Sequence, residues 1–305
     1  MSYMAVGFKW NFRKFWPLYL MVLPGVVFFI VFKYIPIAGT LIAFKDYSVF
    51  KGVIDSPWVG FKHFENLISS PDFYRIFTNT LILGLLKMVV VFPVPVLLAL
   101  MINEIRMSLL KKGVQTALYI PHFLSWVIIA GIAFDLFSLS GLFNTMRGWF
   151  GFEPNLIMQQ EQYFRWVYVL TAIWRDAGWG TIIYLAAISS MDPQIYESAT
   201  VDGASKWKQT IHITLPLLLP TVVVLFLLDL GNFLDLGFDH VFNLLTPMTY
   251  SVGDIIDTYV FRTGIQEARY SFATAAGLFQ AIIGFVLVLI FNRISKKVSD
   301  DGGLW

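Results

Sequence analysis

Residues 196–220 read YESATVDGASKWKQTIHITLPLLLP. The stretch opens polar, with Glu197, Asp202, Lys206 and Lys208, and closes as an apolar run containing Pro216 and Pro220. Just upstream, Asp192 followed by Pro193 is a helix start. It offers a side-chain acceptor at the cap position, then a residue whose missing N–H is harmless in the first turn. A short helix through Tyr196 and Ala199 follows. Gly203 permits a backbone turn that a side chain resists. Ser205 then caps a second short helix carrying Trp207 and Lys208, before Pro216 and Pro220 open an apolar span. The spacing predicts helix, glycine turn, helix, membrane. Ser198, Ala199 and Ala204 are small, so another protein can approach this surface closely. On shape alone, an ordinary solvated loop between two spans satisfies the same pattern.

The composition around this segment is that of a lipid-soluble chain. Of 305 residues, 57% are hydrophobic and 14% charged, against about 25% charged in a soluble domain. An all-α integral membrane protein follows. A chain without cysteine holds no disulfide, thiolate metal site or cysteine nucleophile. The formal charge of +2 argues neither way about nucleic acid, and no nucleic-acid partner is expected. Lys9, Arg13 and Lys14 precede an apolar stretch that continues to Ile37 without a small-residue cleavage site, so it reads as a retained first span.

A helix needs about 20 mostly apolar residues to cross the hydrocarbon layer. Six stretches qualify: 16–37, 76–101, 116–138, 164–188, 214–236 and 271–292. Pro24, Pro93, Pro95 and Pro121 are tolerable there where neighbouring helices re-satisfy the freed carbonyls. A long loop, 38–75, joins the first two spans, and its Gly, Pro, Ser and Asp content marks turns. No repeat period is visible. The chain reads as one domain over 1–305, with only SDDGGLW (299–305) as a loose tail.

An even number of spans puts both termini on one side, and lysine and arginine bias says which. With the termini inside, the cytoplasmic segments hold 11 bases against six acids, while the outer loops hold eight against 11. The polar segment 192–213 therefore faces the cytoplasm, as do both termini. Trp10, Trp16, Trp149, Trp166 and Trp207 fall near expected span ends, where interfacial tryptophans belong.

Charge at the centre of a span is costly, so it pairs or lines a path. Lys87 lies in the second span, Asp135 in the third, and Arg175 and Asp176 in the fourth between Trp174 and Trp179. Asp229, Asn232 and Asp235 lie in the fifth. At about 100° per residue these three form one stripe about 120° wide. Trp174, Arg175, Asp176, Trp179, Asp229, Asn232 and Asp235 are the candidate substrate path, since carboxylates, amides and aromatic faces turned to one space can line a polar route. The alternative is that Lys87, Asp135, Arg175, Asp176 and Asp229 pair to fix helix packing, with Trp174 and Trp179 as packing residues.

No Gly-Lys dipeptide occurs, so there is no Walker A loop, and energy has to come from a partner or a gradient. Zinc-protease and serine-hydrolase signatures are missing, and the four histidines are scattered. No catalytic residue, metal or cofactor is expected.

The polar segment resembles the signature of binding-protein-dependent ABC import permeases: EAA, three residues, Gly, nine residues, Ile, one residue, Leu-Pro. Here these are Glu197-Ser198-Ala199, Gly203, Ile213 and Leu215-Pro216, with Ser198 where alanine is usual. The adjoining Asp202-Gly203-Ala204 is the form common in sugar permeases. Residues 32–64, 174–199 and 254–265 are similar to the branch that includes the alginate importer and related oligo- and polysaccharide importers; maltose permeases are more distant.

The resemblance implies a type I ABC importer permease fold, six transmembrane helices with cytoplasmic coupling helices between spans 4 and 5. It implies a place in a bacterial cytoplasmic membrane. It also implies a second permease subunit completing the pore, two ATPase subunits that bind ATP and Mg, and an extracytoplasmic sugar-binding protein. Glu197, Ser198, Ala199, Asp202, Gly203 and Ala204 would meet the ATPase. The rival reading is a gradient-driven secondary sugar transporter, which often shows repeated halves with broken midplane helices and has no need of the signature segment. An intramembrane enzyme would want paired catalytic residues at helical spacing, and Asp229 with Asp235 is too little.

Overall fold

In lipid every backbone polar group must be satisfied within its own segment, and the six apolar stretches are accordingly helical. The computed structural model describes residues 12–298. Lys9, Trp10 and the tail 299–305 lie outside the described residues. Among those described, every regular element is helical, with two isolated β-bridges in the first outer loop.

The first span is α1 (Phe12–Phe29), extended by further helical turns so that Phe15–Phe44 is continuous. The second, Pro71–Asn103, joins α2 (Pro71–Leu86) to α3 (Pro93–Asn103). Next come α4 (Ser108–Tyr119), α5 (Trp126–Leu136) and the 29-residue α6 (Glu161–Ser189). The pair expected on the cytoplasmic side is α7 (Pro193–Val201) and α8 (Lys206–Gln209), and α8 runs on into α9 (Leu215–Gly231). On the side expected to be the outer one lie α10 (Phe238–Leu244) and α11 (Ile256–Phe261), before α12 (Tyr270–Val298).

Three π turns interrupt these helices just before a proline: Ile30–Tyr34 before Pro36, Lys87–Val91 before Pro93, and Thr210–Thr214 before Pro216. A proline supplies no N–H and its ring collides with the carbonyl four residues back. That carbonyl falls inside the π turn each time. The wider turn moves it aside, and Phe92 N donates five residues back to the Lys87 carbonyl at 2.9 Å.

The expected third span, 116–138, is not a straight helix. Pro121 ends α4 in a 3-10 turn over Ile120–Phe123, Leu124 is extended, and the Ser125 hydroxyl accepts from Ile128 N at 3.4 Å to start α5. The two pieces meet at 104°. The fifth span is also displaced from 214–236. It begins at Lys206 and stops at Gly231, where the Asn232 amide donates to the Leu228 carbonyl at 3.3 Å and the chain leaves the helix. Among the described residues, four helices are apolar and long enough to cross a membrane, and the bent pair is a fifth candidate. The remaining one, α6, is about 44 Å long at 1.5 Å per residue but carries Arg175 and Asp176 midway. Six spans are thus retained, with the third bent.

Helix α6 is the centre of the bundle. Its residues join Leu83, Ala130 and Ala133 in one buried cluster, and Val96, Ala99 and Leu218 in another. Small residues bring its neighbours close. A Cβ on Gly178 would lie 2.0 Å from the Leu118 carbonyl oxygen, and one on Gly180 would lie 2.9 Å from Pro95. The outer segment is fastened to the second span. Asn79 donates to the carbonyls of Ser251 and Asp254, and Thr80 accepts from Ile256 N. The fully buried Asp254 carboxylate takes bonds from Thr258 and Arg262. By contrast, none of the most apolar window of the first span is buried within the chain.

Candidate functional site

Two regions hold the residues singled out above, and one helix joins them. At the end that carries the Gly203 turn, the Asp192 carboxylate accepts from Gln194 N at 2.9 Å, starting α7. The helix ends as glycine at this position dictates. Gly203 has φ +79°, its N–H reaches the Thr200 carbonyl at 3.1 Å, and the Ala204 N–H reaches back to Ala199 at 2.9 Å. This pair of bonds satisfies carbonyls that a helix end leaves open. Ser205 then accepts from Lys208 N at 3.4 Å.

The turn is held from behind by Gln209, which is buried. Its amide donates to Thr200 Oγ1 at 3.0 Å and to the Ala204 carbonyl at 3.1 Å. The Tyr196 hydroxyl lies 3.0 Å from Thr214 Oγ1, so α7 is pinned to the foot of the fifth span. Glu197, Ser198, Asp202 and Gly203 are exposed, and Ala199 and Ala204 half-buried. Val201 (88% exposed) and Trp207 (72%) give the same surface an apolar part. Helix α8 does not stand apart from the span as the sequence suggested; Lys206–Gly231 is one 26-residue helix.

At the other end of that helix lies a cavity of about 600 Å³ between the second span, α5, α6, α9 and α10. Arg175, Asp176, Asp229, Asn232 and Asp235 all line it, together with Lys87, Trp126, Tyr168 and His240. Asp229, Asn232 and Asp235 do not form a helical stripe, because the helix stops at Gly231. The irregular segment that follows still turns Asn232 and Asp235 toward the space that Asp229 lines from the helix. Trp174 and Trp179 are exposed and do not line it. Trp179 stacks instead on His122, with ring centres 4.7 Å apart.

The polar groups of the cavity are mutually arranged. Arg175 donates to Asp176 at 2.8 Å and to the Leu124 carbonyl at 3.1 Å, and its guanidinium lies 4.4 Å from the Trp126 ring. His122 Nδ1 is 3.0 Å from the same Asp176 oxygen. Lys87 Nζ donates to the Asp235 carbonyl at 3.3 Å and stands 3.9 Å from Asp229 Oδ1. Of the five charges that the packing alternative would pair, Arg175 bonds Asp176 and Lys87 stands 3.9 Å from Asp229, and both contacts border the cavity. Asp135 is exposed at the end of α5.

His240 is stacked between Trp126 at 3.6 Å and Tyr168 at 4.4 Å. The Thr171 hydroxyl donates to main-chain carbonyls of its own helix, so it accepts from His240 Nε2 at 2.8 Å. Burial, with the Arg175 and Lys87 charges adding to it, pushes the imidazole pKa down to about 3. His240 is a neutral wall at physiological pH. The result is a concave site with aromatic walls and a few convergent polar groups, the usual form of a small-molecule site.

Sequence reasoning did not find Trp126, Tyr168 or His240 as lining residues, and took Lys87 only as a candidate packing charge. No periodicity could have placed them. Trp126 enters through the 104° bend, and His240 through the outer helix α10 folding back against α6.

The chain matches the family described as binding-protein-dependent transport system inner membrane component over residues 74–300. It is 48% identical over 286 residues to the polygalacturonan/rhamnogalacturonan transport system permease protein of Bacillus subtilis, covering 93% of this chain and 89% of that one. The arabinooligosaccharides transport system permease protein of the same organism is 30% identical over 288 residues, with 93% and 90% covered. Among solved structures, a bacterial ABC transporter involved in import of the acidic polysaccharide alginate superposes with a TM-score of 0.88 at 43% identity. That match covers 95% of this chain and 98% of the other. The alginate transporter bound to a periplasmic protein carrying an alginate pentasaccharide matches with a TM-score of 0.88 at 42% identity, covering 96% and 98%.

Proposed function

This chain belongs to the family of binding-protein-dependent transport system inner membrane components, and we propose that it is the permease subunit forming half of the pore of an ATP-driven importer of an oligo- or polysaccharide. The observation that carries the reading is the single helix Lys206–Gly231. Its cytoplasmic foot is the Gly203 turn and its far end is Asp229, in the cavity. A displacement of the turn is delivered to the cavity along one element. Coupling between distant sites requires such an element, biased from both ends.

The parts divide as follows. Glu197, Ser198, Ala199, Asp202, Gly203 and Ala204 meet an ATP-binding cassette subunit, and Gln209 keeps their turn stiff. Two such subunits bind ATP and Mg; this chain hydrolyses nothing itself. A second permease subunit closes the pore, and an extracytoplasmic binding protein delivers the saccharide, as the alginate relative's binding-protein complex suggests by analogy. Arg175, Asp176, Asp229, Asn232 and Asp235 face the saccharide, with Trp126 in the aromatic part that Trp174 and Trp179 were expected to supply. The chain sits in a bacterial cytoplasmic membrane with 192–213 and both termini inside.

The test is co-purification. The tagged chain, expressed with its neighbouring transport genes, is expected to bring down an ATPase subunit in stable stoichiometry, and Glu197→Lys to reduce that yield several-fold with membrane insertion unchanged. Isolation of the chain free of any ATPase subunit overturns the reading.

A further inference from the structure

The two bases of the cavity are differently engaged. Arg175 is committed to Asp176, to the Leu124 carbonyl and to the Trp126 ring. Lys87 is not: one of its three donors reaches the Asp235 carbonyl at 3.3 Å, while Asp229 stands at 3.9 Å, beyond hydrogen-bond distance. Both side chains are about one-third exposed, 32% each, to the same space. Lys87 also opens the π turn of the second span, a feature that recurs at functional sites. The ion pair is split and its two halves are held on different helices.

We propose, building on the saccharide reading above, that Lys87 and Asp229 together read one hydroxyl of the saccharide, set between them. An ammonium only donates and an ionised carboxylate only accepts, whereas a hydroxyl does both. At 3.9 Å separation, one oxygen fits about 2.8 Å from each group, accepting from Lys87 and donating to Asp229. A uronate carboxylate in that position would accept from Lys87 but face Asp229 with like charge, and has no proton to give it. This pair therefore recognises a hydroxyl of the saccharide and not a carboxylate. Lys87 and Asp229 are specificity-determining residues for hydroxyl position, indifferent to whether the sugar is acidic or neutral.

The experiment uses the complete complex of permease pair and ATPase subunits in lipid nanodiscs. It is titrated calorimetrically with an oligogalacturonide and, separately, with its carboxyl-reduced neutral counterpart of equal length. The wild type is expected to bind both with Kd values within about threefold. Lys87→Met and Asp229→Asn are each expected to weaken both ligands by about tenfold, the loss of one charge-assisted hydrogen bond. Lys87→Gln, which keeps a donor, loses less and stands in should the methionine variant fail to assemble. Because one hydroxyl serves both residues, the double variant loses less than the product of the single losses.

Three results overturn the proposal while the importer reading stands. The first is a tenfold wild-type preference for the charged ligand that Lys87→Met erases, which would make Lys87 a carboxylate reader. The second is unchanged Kd in both single variants, which would make the pair a packing contact. The third is full additivity in the double variant. If no saccharide binds or stimulates the wild-type complex, the importer reading fails together with this one. Wild-type binding with unaffected variants removes the hydroxyl assignment alone.

Discussion

Gly203 was read from the sequence as a turn, and its φ of +79° gives the physical reason. No heavy atom lies within 4 Å of where its Cβ would be, so space is not the obstacle. The cost of a side chain there is conformational, about 1–2 kcal/mol for most residues and more for a β-branched one. Gly203→Val is expected to cut uptake and substrate-stimulated ATPase activity by tenfold or more while leaving membrane insertion intact. Gly203→Asn, which tolerates this backbone region, keeps most of the activity. Normal uptake by the valine variant would remove the turn from the coupling argument.

His240 makes a second prediction at this scale. Burial first, and then the Arg175 and Lys87 charges, lower its folded pKa to about 3, below the ordinary value of about 6.5. The unfolded chain takes up this proton as pH falls below about 6.5 and the folded chain does not until about 3. Stability from this group is thus present above 6.5 and is lost in between, by roughly 1.4 kcal/mol per pH unit. Thermal midpoints between pH 7.5 and 5 should fall more steeply for the wild type than for His240→Gln. Parallel slopes would show that the imidazole titrates normally.

At the scale of elements, the sequence located the cytoplasmic helix–turn–helix from its caps, because caps and glycine turns are decided within a few residues. What supports the turn was not legible. Gln209 lies on the face of α8 that meets Thr200 and Ala204, and nothing in its neighbours along the chain marks it. Gln209→Ala removes the two hydrogen bonds that its amide donates to Thr200 and Ala204, about 1 kcal/mol each, and the one it accepts from Lys206, from behind the surface that carries Glu197. Faster amide exchange over 196–209 and weaker ATPase stimulation are expected, with unchanged expression. Unaltered exchange would make Gln209 incidental. The break between α4 and α5 was likewise hidden. Pro121 signalled a distortion, but a membrane helix can kink at proline and continue, and only the extended Leu124 and the Ser125 cap turn a kink into a 104° corner.

For the whole molecule, the counts of bases and acids on the two sides carry an orientation that direct labelling can check. The chain has no cysteine, so single reporters are simple to introduce. A cysteine replacing Ser205 is expected to react with a membrane-impermeant maleimide only from the cytoplasmic side, in inverted vesicles. One replacing Phe50, fully exposed in the first outer loop, should react only from outside, in intact cells. Labelling of both from one side would overturn the arrangement. The first span, unburied within the chain, is left to contact lipid or a second subunit, which agrees with a chain that works as part of an assembly.

By itself the sequence determined the membrane class, the helical fold and the turn at Gly203, and it set the expectation of which side the charged segment faces. Each of these is encoded locally, in the length of an apolar run, the sign of nearby charges, or the φ that one residue must adopt. Tertiary structure alone decided which polar groups share the cavity. Placing a side chain by periodicity assumes about 100° per residue without interruption. Here π turns at Lys87–Val91 and Thr210–Thr214 change the phase, a corner redirects Trp126, and unwinding after Gly231 frees Asn232 and Asp235 from the helix. Lys87, Trp126 and His240 therefore meet Asp229 through the bends of four separate elements, a meeting that no single stretch of the chain contains.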